Sequence, residues 1–184
     1  VLRIGTSLSN WEVEVMNFAC LKDILSEEER IQLLRDCKPL LVDNIGKYYD
    51  GGFYPGKQTH PTLHLHPKIA PILQKMIHRI HLVTNEPLEI DKAWMNWTNG
   101  KETNLHSHGN YWYSVVYYLK THTFWKWTNS GTNFEEIGFL KSPQNSLIFF
   151  QSNAKHGMPT YPLRLGRYTI AMNLNSPLED KINA

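Results

Sequence analysis

The chain has 184 residues, of which 41% are hydrophobic and 20% are charged. This length suits one domain with its own core, and this composition excludes an intrinsically disordered protein. The formal net charge is +2, and no long block of Lys or Arg occurs in the sequence, which disfavours a nucleic-acid-binding protein.

Two cysteines, Cys20 and Cys37, are the only thiols of the chain. Two thiols without a secretory leader favour free cysteines in a reducing compartment over a disulfide. No apolar run approaches the roughly 20 residues that a membrane-spanning helix needs. We therefore expect a cytoplasmic protein that does not enter a membrane.

The first part of the chain predicts a strand, a helix and a long loop. Residues 11–18 alternate between apolar and polar side chains, as a half-buried strand does. Ser26, followed three residues later by Glu29, forms a capping box and predicts a helix that ends near Lys38. Residues 43–66 are rich in Gly, Pro, Tyr and His without a clear period, which favours a loop.

A second helix is predicted over 67–84, because apolar residues recur there at i, i+3 and i+4. After it the chain changes to short strand patterns separated by Gly, Asn and Pro turns. Many short strands after a helical part are typical of a closed or double-sheet antiparallel barrel with flanking helices. The predicted strands are 88–97, 111–119, 124–127, 136–140, 146–150 and 167–174.

Three histidines are candidates for a metal site: His106, His108 and His156. Two histidines at i and i+2 on a strand project to the same side, and His156 follows a predicted strand that can bring it near them. Imidazole binds iron, zinc, copper and nickel alike, so the ligand type does not choose the metal. Three protein ligands leave open positions, as in a reactive site.

Nine histidines occur in the chain, so other groupings compete with this one. His64 and His66 form a second H-x-H, but they lie in the predicted loop without a strand partner. His78 and His81 lie at i and i+3 on the second helix, which is typical of a partly exposed helix edge. A single histidine is more often hydrogen-bonded or at the surface than a metal ligand.

Residues 94–174 resemble the iron(II)/2-oxoglutarate-dependent oxygenases. The most similar branch reads H-x-H followed by a strand that ends S-G-V-Y-Y-L, and later L-x-x-F-x-S, a His, and Arg-x-Ser/Thr. The matching segments are N-L-H-S-H at 104–108, S-V-V-Y-Y-L at 114–119, L-I-F-F-Q-S at 147–152, His156, and R-Y-T at 167–169.

The resemblance implies an α+β, mainly β fold: a double-stranded β-helix, which is a jelly-roll or cupin-like barrel, buttressed by the N-terminal helices. No linker divides the sequence, so we expect one domain over 1–184. The helical buttress and flanking strands would take 1–87, and the barrel core would take 88–176.

The resemblance also implies the cofactors Fe(II), 2-oxoglutarate and O₂. Arg167 would hold the far carboxylate of 2-oxoglutarate with a hydroxyl from Thr169, since guanidinium pairs bidentately with carboxylate. Asn96 would also touch this co-substrate, although a strand Asn bonded to a neighbouring loop is an equal alternative. Tyr117 and Tyr118 point to opposite faces of their strand, so one of them enters the barrel, and Tyr117 is the predicted cofactor residue.

The implied reaction consumes 2-oxoglutarate and O₂, releases succinate and CO₂, and hydroxylates an unactivated C–H bond of a small-molecule or peptidyl substrate. The sequence departs from the family at His108, where the usual ligand is a carboxylate. Either three histidines bind the iron, or His108 lies behind the ligands and water takes its place. A neutral third ligand should weaken Fe(II) binding.

Two other functions remain open on the sequence alone. A cupin with a three-His metal site and no 2-oxoglutarate would share the histidine pattern, but it does not predict Arg167 and usually has a Glu soon after the H-x-H. A non-catalytic barrel that binds a ligand or partner is the second alternative. The sequence selects neither a particular substrate nor an oligomeric state.

Overall fold

The computed structural model describes residues 18–43, 56–100, 102–124, 127–160 and 165–177. In chain order the elements are β1 (Phe18–Leu21), α1 (Glu27–Cys37), a 3₁₀ turn (Lys38–Leu40), β2 (Val42–Asp43), β3 (Lys57–Gln58), a 3₁₀ turn (Leu63–Leu65), α2 (Ala70–Thr84), β4 (Glu89–Thr98), β5 (Tyr113–Lys120), β6 (Thr123–Phe124), β7 (Trp127–Thr128), β8 (Gly131–Phe134), β9 (Gly138–Lys141), β10 (Leu147–Gln151), β11 (His156–Gly157) and β12 (Arg167–Asn175).

A seven-stranded sheet is the largest unit of the fold. Its strand order is β1-β10-β5-β12-β4-β3-β2, and every neighbouring pair runs antiparallel. A smaller sheet contains β11, β8 and β9, and β6 pairs with β7. In the described ranges the chain is therefore mainly β, with antiparallel sheets and two α-helices, which confirms the predicted class.

The two faces of the large sheet pack against different partners. On β5, Val115, Tyr117 and Leu119 belong to the core that the two helices cover. Tyr118, between them, belongs to a second cluster with Phe134 of the small sheet. Because side chains alternate along a strand, the register of each strand decides at once which residues meet the helices and which face the small sheet.

Helix α1 begins where the sequence predicts. The Ser26 hydroxyl accepts a hydrogen bond from the Glu29 backbone nitrogen (3.2 Å), and the Glu29 carboxylate accepts one from the Ser26 nitrogen (3.0 Å). This capping box satisfies two backbone donors that the first turn leaves without partners. Farther along, the Arg30 guanidinium donates to the Leu119 carbonyl oxygen (2.7 Å), so α1 is tied to β5.

Helix α2 confirms the second predicted helix, with a start three residues later than expected. Pro71 lies in its first turn, and Asn85 ends it in the left-handed conformation (φ 57°). One face of the helix is buried against the large sheet, and each such apolar side chain contributes about 1.5–3 kcal/mol on burial. The residues of this face are Leu73, Met76, Ile77 and Ile80.

Strand β8 differs from the sequence prediction, which has no strand between 127 and 136 and, from Asn129, Ser130 and Gly131, a turn there. Gly131 is the first residue of this strand. A Cβ at this position would lie 2.5 Å from the Leu140 carbonyl oxygen of β9, so a larger residue would not fit without a shift of the backbone. In the sequence, a glycine that lets two strands come close together cannot be told apart from a glycine in a turn. The predicted strand over 124–127 is instead two short strands, β6 and β7, with 125–126 outside the described residues.

Two other predicted segments fall largely outside the described residues. They are 11–17 of the first predicted strand and 44–55 of the predicted loop. The described remainder of that loop extends the large sheet, since β2 pairs with β3 and β3 pairs with β4.

Cys20 and Cys37 are buried free thiols, as expected. Burial raises the pKa of the Cys20 thiol, and it raises the pKa of Cys37 to about 12. Both groups are therefore protonated and unreactive at neutral pH. None of the helices in the described ranges is long and apolar enough to cross a membrane.

Asn145 joins the connection between β1 and α1 to strand β5. Its side chain exchanges two hydrogen bonds with the Leu25 backbone (3.1 and 2.8 Å) and accepts a third from the Tyr117 hydroxyl (2.7 Å). Its backbone is left-handed, with φ 63°. This one side chain therefore connects the residues before α1 to strand β5 at the edge of the core.

Asn145→Ala is expected to lower the free energy of unfolding by about 2–4 kcal/mol, since three hydrogen bonds are lost and alanine disfavours the left-handed backbone. Asn145→Gly removes the same bonds without the backbone strain, so it should be about 1 kcal/mol less damaging. Urea unfolding of both variants and the parent chain measures these values. Parent-like stability of the alanine variant would contradict this role of Asn145.

Candidate metal centre

A cavity of about 640 Å³ lies between the large sheet and the small sheet. Strands β4, β5 and β12 contribute one wall, and the H-x-H segment with β8 and β11 contributes the other. This volume falls within the range of small-molecule sites, about 300–1,000 Å³. The cavity is therefore large enough for a co-substrate and part of a substrate.

The three predicted histidines meet at this cavity. His106, His108 and His156 each offer a ring nitrogen, and these atoms lie within 4.8 Å of one another. The ring centroids are 5.1, 4.6 and 5.3 Å apart for the three pairs. Tetrahedral or octahedral ligands about 2 Å from one ion are separated by roughly 3–3.5 Å, so small side-chain shifts suffice for a shared metal.

Backbone hydrogen bonds bring the H-x-H segment to β11. The His106 nitrogen donates to the His156 carbonyl oxygen (3.0 Å), and the His156 nitrogen donates to the His106 oxygen (2.8 Å). The His108 nitrogen donates to the Ser152 oxygen (2.7 Å), at the end of β10. In such an antiparallel pair, directly opposed side chains lie on the same face, so the His106 and His156 rings are placed side by side.

Two of the rings are oriented by backbone carbonyl groups. Nδ1 of His106 lies 2.9 Å from the Asn104 oxygen, and Nδ1 of His156 lies 3.0 Å from the Ala154 oxygen. A carbonyl oxygen only accepts, so each Nδ1 carries the proton and each Nε2 keeps its lone pair. This is the arrangement in which metal-binding histidines are commonly held.

His156 is the most buried histidine of the three, with a relative exposure of 6%. Phe150 packs edge-on against its ring, with centroids 4.7 Å apart. Burial, followed by the nearby His106 ring, lowers the pKa of His156 to about 3. The ring is therefore neutral at physiological pH, which is the form that binds a metal ion.

Arg167 lies on β12 at the cavity wall and is itself buried, with 5% exposure. Its Nη1 donates to the Gly131 carbonyl oxygen (2.7 Å), and its guanidinium lies over the Tyr118 ring, 5.2 Å from the centroid. Among the described residues, no Asp or Glu forms an ion pair with it. A buried cation without a carboxylate partner, at a cavity wall, is suited to bind an anionic ligand.

Thr169 and Asn96 also line the cavity, on neighbouring strands. Thr169 follows Arg167 on the same face of β12, and it is opposite Asn96 of β4 in the register. The Asn96 side-chain oxygen accepts a hydrogen bond from Gln58 of β3 (2.8 Å). The sequence-based alternative for Asn96 is a bond to a neighbouring loop; its partner Gln58 lies in the predicted loop 43–66, in the part that forms β3, and Asn96 also lines the cavity.

Tyr117 is the predicted cofactor residue that the fold does not bring to the cavity. It is fully buried on the helix side of β5, where its hydroxyl donates to Asn145 (2.7 Å). Tyr118 is the tyrosine on the cavity side, where it lies beneath Arg167 and its hydroxyl is 2.7 Å from that of Thr132. The assignment of Tyr117 is thus corrected, because the helices cover the odd-numbered face of β5.

The competing histidines do not assemble a second centre. In the described part of the chain, the triad is the single group of three or more potential ligands whose atoms come together. His64 lies in the 3₁₀ turn, and His66 follows it. His78 and His81 lie along α2 with ring centroids 6.4 Å apart, and His81 Nδ1 is 2.7 Å from the Glu86 oxygen.

A buried polar network that the sequence did not reveal supports the H-x-H segment. The Ser114 hydroxyl lies 2.9 Å from that of Ser152 and 3.2 Å from the Asn173 side-chain oxygen. All three residues are buried, and Ser152 also accepts the backbone hydrogen bond of His108. Ser152 is the final residue of the matched L-x-x-F-x-S segment. That match is the one sequence signal that could have indicated a role for Ser152 in this network.

Comparisons in sequence and in fold differ in outcome. The sequence matches no family model, and no curated protein matches it either. The fold is similar to that of a prolyl hydroxylase from Trichoplax adhaerens in complex with a hypoxia inducible factor peptide fragment. The TM-score is 0.67 at 13% identity, over 91% of this chain and 87% of that chain.

Two other solved structures are similar over comparable lengths. HygX from Streptomyces hygroscopicus, with nickel, 2-oxoglutarate and hygromycin B bound, has a TM-score of 0.64 at 13% identity, over 88% of this chain and 83% of that chain. The viral collagen prolyl hydroxylase vCPH from Paramecium Bursaria Chlorella virus-1, in its 2-oxoglutarate complex, has a TM-score of 0.64 at 13% identity, over 87% of this chain and 96% of that chain.

The chain therefore shares its fold with these three proteins, two of which are prolyl hydroxylases and two of which were solved with 2-oxoglutarate. The likeness covers most of this chain and of each of the three others. At this level of identity it establishes the fold, and the chemistry has to be argued from the side chains of the cavity.

Gly157 lets the H-x-H segment approach β11. A Cβ at this position would lie 2.7 Å from the Thr103 oxygen and 3.0 Å from the Asn104 oxygen. Gly157→Ala is expected to lower the free energy of unfolding by about 1–3 kcal/mol, since the segment that carries His106 must move away. Urea unfolding measures the change.

Gly109→Ala is the matched control in the same segment, because a Cβ there would meet nothing within 4 Å. Its stability should stay within about 0.5 kcal/mol of the parent chain. Equal losses in the two variants would show that close approach at Gly157 is not what holds the segment.

Proposed function

We propose that this chain is an Fe(II)- and 2-oxoglutarate-dependent dioxygenase that hydroxylates an unactivated C–H bond of its substrate. In this proposal the two sheets form a double-stranded β-helix, and 1–184 is one domain with a helical buttress in 1–87 and a barrel core in 88–176. The pairing of β1 with β10 and of β3 with β4 supports one domain, because strands from the first part complete the large sheet. A cytoplasmic location stays a prediction.

One observation carries the proposal: three imidazole side chains and one buried guanidinium line the same cavity. His106, His108 and His156 would hold the metal ion, with Nε2 as the ligand atom of His106 and His156. The donor set fits a divalent ion such as Fe(II), and three protein ligands leave positions for 2-oxoglutarate and O₂. The fold neighbours HygX and vCPH, which bind 2-oxoglutarate, support this reading.

The protein side chains have positioning roles in this proposal. Fe(II) with 2-oxoglutarate supplies the oxidation of the C–H bond when both are bound, and that chemistry belongs to the cofactor. Arg167 would bind the far carboxylate of 2-oxoglutarate, with Thr169 and Asn96 as neighbouring hydrogen-bond partners. The described cavity residues include no carboxylate that could act as a general base, and the proposed reaction needs none.

A three-His cupin that does not use 2-oxoglutarate is the competing function. Arg167 favours the oxygenase over it, since a three-His cupin of that kind does not predict a buried guanidinium at the cavity wall, where Arg167 lies. Anaerobic Fe(II) followed by 2-oxoglutarate should give a weak visible charge-transfer band, which arises only when both chelate one metal. Iron uptake without this band would favour the cupin, and no iron uptake would favour a non-catalytic barrel.

His156→Ala is expected to abolish stoichiometric Fe(II) binding, because two imidazoles remain and neither is as enclosed as His156. Anaerobic equilibrium dialysis with metal analysis measures the bound iron. His78→Ala is the control, since His78 is an exposed histidine of α2 that is remote from the cavity. Retained one-to-one iron in the His156 variant would refute this ligand set.

Arg167→Ala is expected to leave Fe(II) affinity nearly unchanged and to weaken 2-oxoglutarate binding by about 2–4 kcal/mol, the scale for loss of a buried charge partner. Titration of the charge-transfer band with 2-oxoglutarate measures this affinity. Arg167→Lys keeps the positive charge but lacks the planar guanidinium, so its 2-oxoglutarate affinity should lie between those of the parent chain and the alanine variant. An unchanged 2-oxoglutarate affinity in the alanine variant would remove Arg167 from the site.

A further inference from the structure

We infer that Asn173 is a specificity-determining residue, which donates a hydrogen bond from its Nδ2 amide group to a carbonyl oxygen of the substrate. The inference rests on the proposed function, because it takes the metal ion at the histidine triad and 2-oxoglutarate at Arg167. Its basis is a chain of buried hydrogen bonds that determines which end of the Asn173 amide faces the cavity.

Asn173 is a buried residue of β12 that lines the cavity, with a relative exposure of 3%. Its Oδ1 accepts a hydrogen bond from the Ser114 hydroxyl (3.2 Å). Among the described residues, Ser114 is the only hydrogen-bond partner of this side chain, and Nδ2 retains accessible surface. The amide nitrogen therefore presents two N–H donors to the cavity.

Two buried hydroxyl groups decide the orientation of this amide. The Ser114 and Ser152 oxygens lie 2.9 Å apart, and within the described ranges the Ser152 hydroxyl has no other hydrogen-bond partner. The Ser152 proton is satisfied only when it is donated to Ser114, and the Ser114 proton then goes to the Asn173 oxygen. If the amide were turned round, Nδ2 would donate to Ser114, and one of the two hydroxyl protons would lack an acceptor.

Asn173 lies on the side of the triad that is remote from Arg167. The two residues are six positions apart on β12 (173 − 167), which is about 20 Å along an extended strand. Asn173 is instead linked through Ser114 to Ser152, whose carbonyl oxygen accepts a hydrogen bond from the His108 nitrogen (2.7 Å). A 2-oxoglutarate molecule that bridges the metal ion and Arg167 therefore leaves Asn173 to the substrate.

A buried donor imposes a requirement on any ligand that covers it. Water can accept from Nδ2 in an open cavity, whereas a ligand that displaces this water has to supply an acceptor or leave the donor unsatisfied. The half-buried Trp94 adds an apolar wall, with its ring 5.9 Å from that of His108. A carbonyl group on an apolar skeleton suits this combination, and an analogue that lacks the carbonyl should be rejected.

The test uses the full chain loaded with Zn(II) and saturating 2-oxoglutarate, so that no turnover occurs. The probes are acetophenone and α-methylstyrene, which has the same skeleton without the carbonyl oxygen. Ligand-observed NMR should show that acetophenone binds about fivefold or more tightly, the scale of one neutral hydrogen bond. In a ¹H–¹⁵N spectrum, acetophenone should also shift the side-chain amide resonance of Asn173 downfield.

Asn173→Asp keeps the oxygen to which Ser114 donates and replaces Nδ2 by a second oxygen, so the preference for acetophenone should be lost. Asn175→Asp is the matched control, because Asn175 is a half-buried residue at the end of the same strand that does not line the cavity. Asn173→Leu, which has neither donor nor added charge, should lose the preference as well.

Indole, whose N–H is a donor, tests the orientation of the amide. It should bind Asn173→Asp more tightly than the parent chain, because an acceptor then faces the cavity where the parent has a donor. An unchanged indole affinity would show that the amide oxygen already faces the cavity, and it would overturn the inference.

Three further results would overturn the inference alone. They are equal affinities of acetophenone and α-methylstyrene, including no binding by either; an unchanged preference in Asn173→Asp; and a 2-oxoglutarate affinity that is about fivefold or more weaker in Asn173→Leu, which would assign Asn173 to the co-substrate. A protein that takes up neither Zn(II) nor 2-oxoglutarate would instead overturn the proposed function, and the inference with it.

Discussion

The candidate site depends on one backbone pairing, the two hydrogen bonds that His106 and His156 exchange (3.0 and 2.8 Å). These residues are far apart in the sequence, and neither belongs to the large sheet. Only their pairing places two imidazoles side by side. The neighbouring hydrogen bond from the His108 nitrogen to the Ser152 oxygen brings the third imidazole next to them. The buried hydroxyls of Ser114 and Ser152 then fix this arrangement to β5, and so to the core beneath the helices.

The large sheet connects this site to the stability of the whole chain. Along β12, Arg167 and Thr169 line the cavity, whereas Ile170 and Leu174 belong to the core that the helices cover. A shift of one residue in the register would bury Arg167 under the helices and place apolar side chains in the cavity. The hydrophobic packing of α2 therefore also keeps the polar residues of the opposite face in position.

Sequence patterns within a few residues predicted more of this fold than could be predicted where the structure depends on contacts between remote residues. The capping box of Ser26 and Glu29 and the periodicity of α2 depend on residues within a few positions, and both helices form as expected. Alternation alone shows that Tyr117 and Tyr118 face opposite ways, but the side that the helices cover depends on contacts with remote residues. The sequence around Gly131 predicts a turn instead of a strand, because the close approach of Leu140, which requires glycine, is not visible in a one-dimensional pattern.

The stacking of Arg167 on Tyr118 links occupancy of the cavity to folding. An aromatic face compensates a buried cation only in part, so the ligand-free protein retains an electrostatic cost at its centre. Any anion that binds there selectively in the native state shifts the folding equilibrium by mass action, in proportion to the logarithm of its concentration. The thermal stability of this chain should thus rise with the concentration of any anion that binds at Arg167 in the native state.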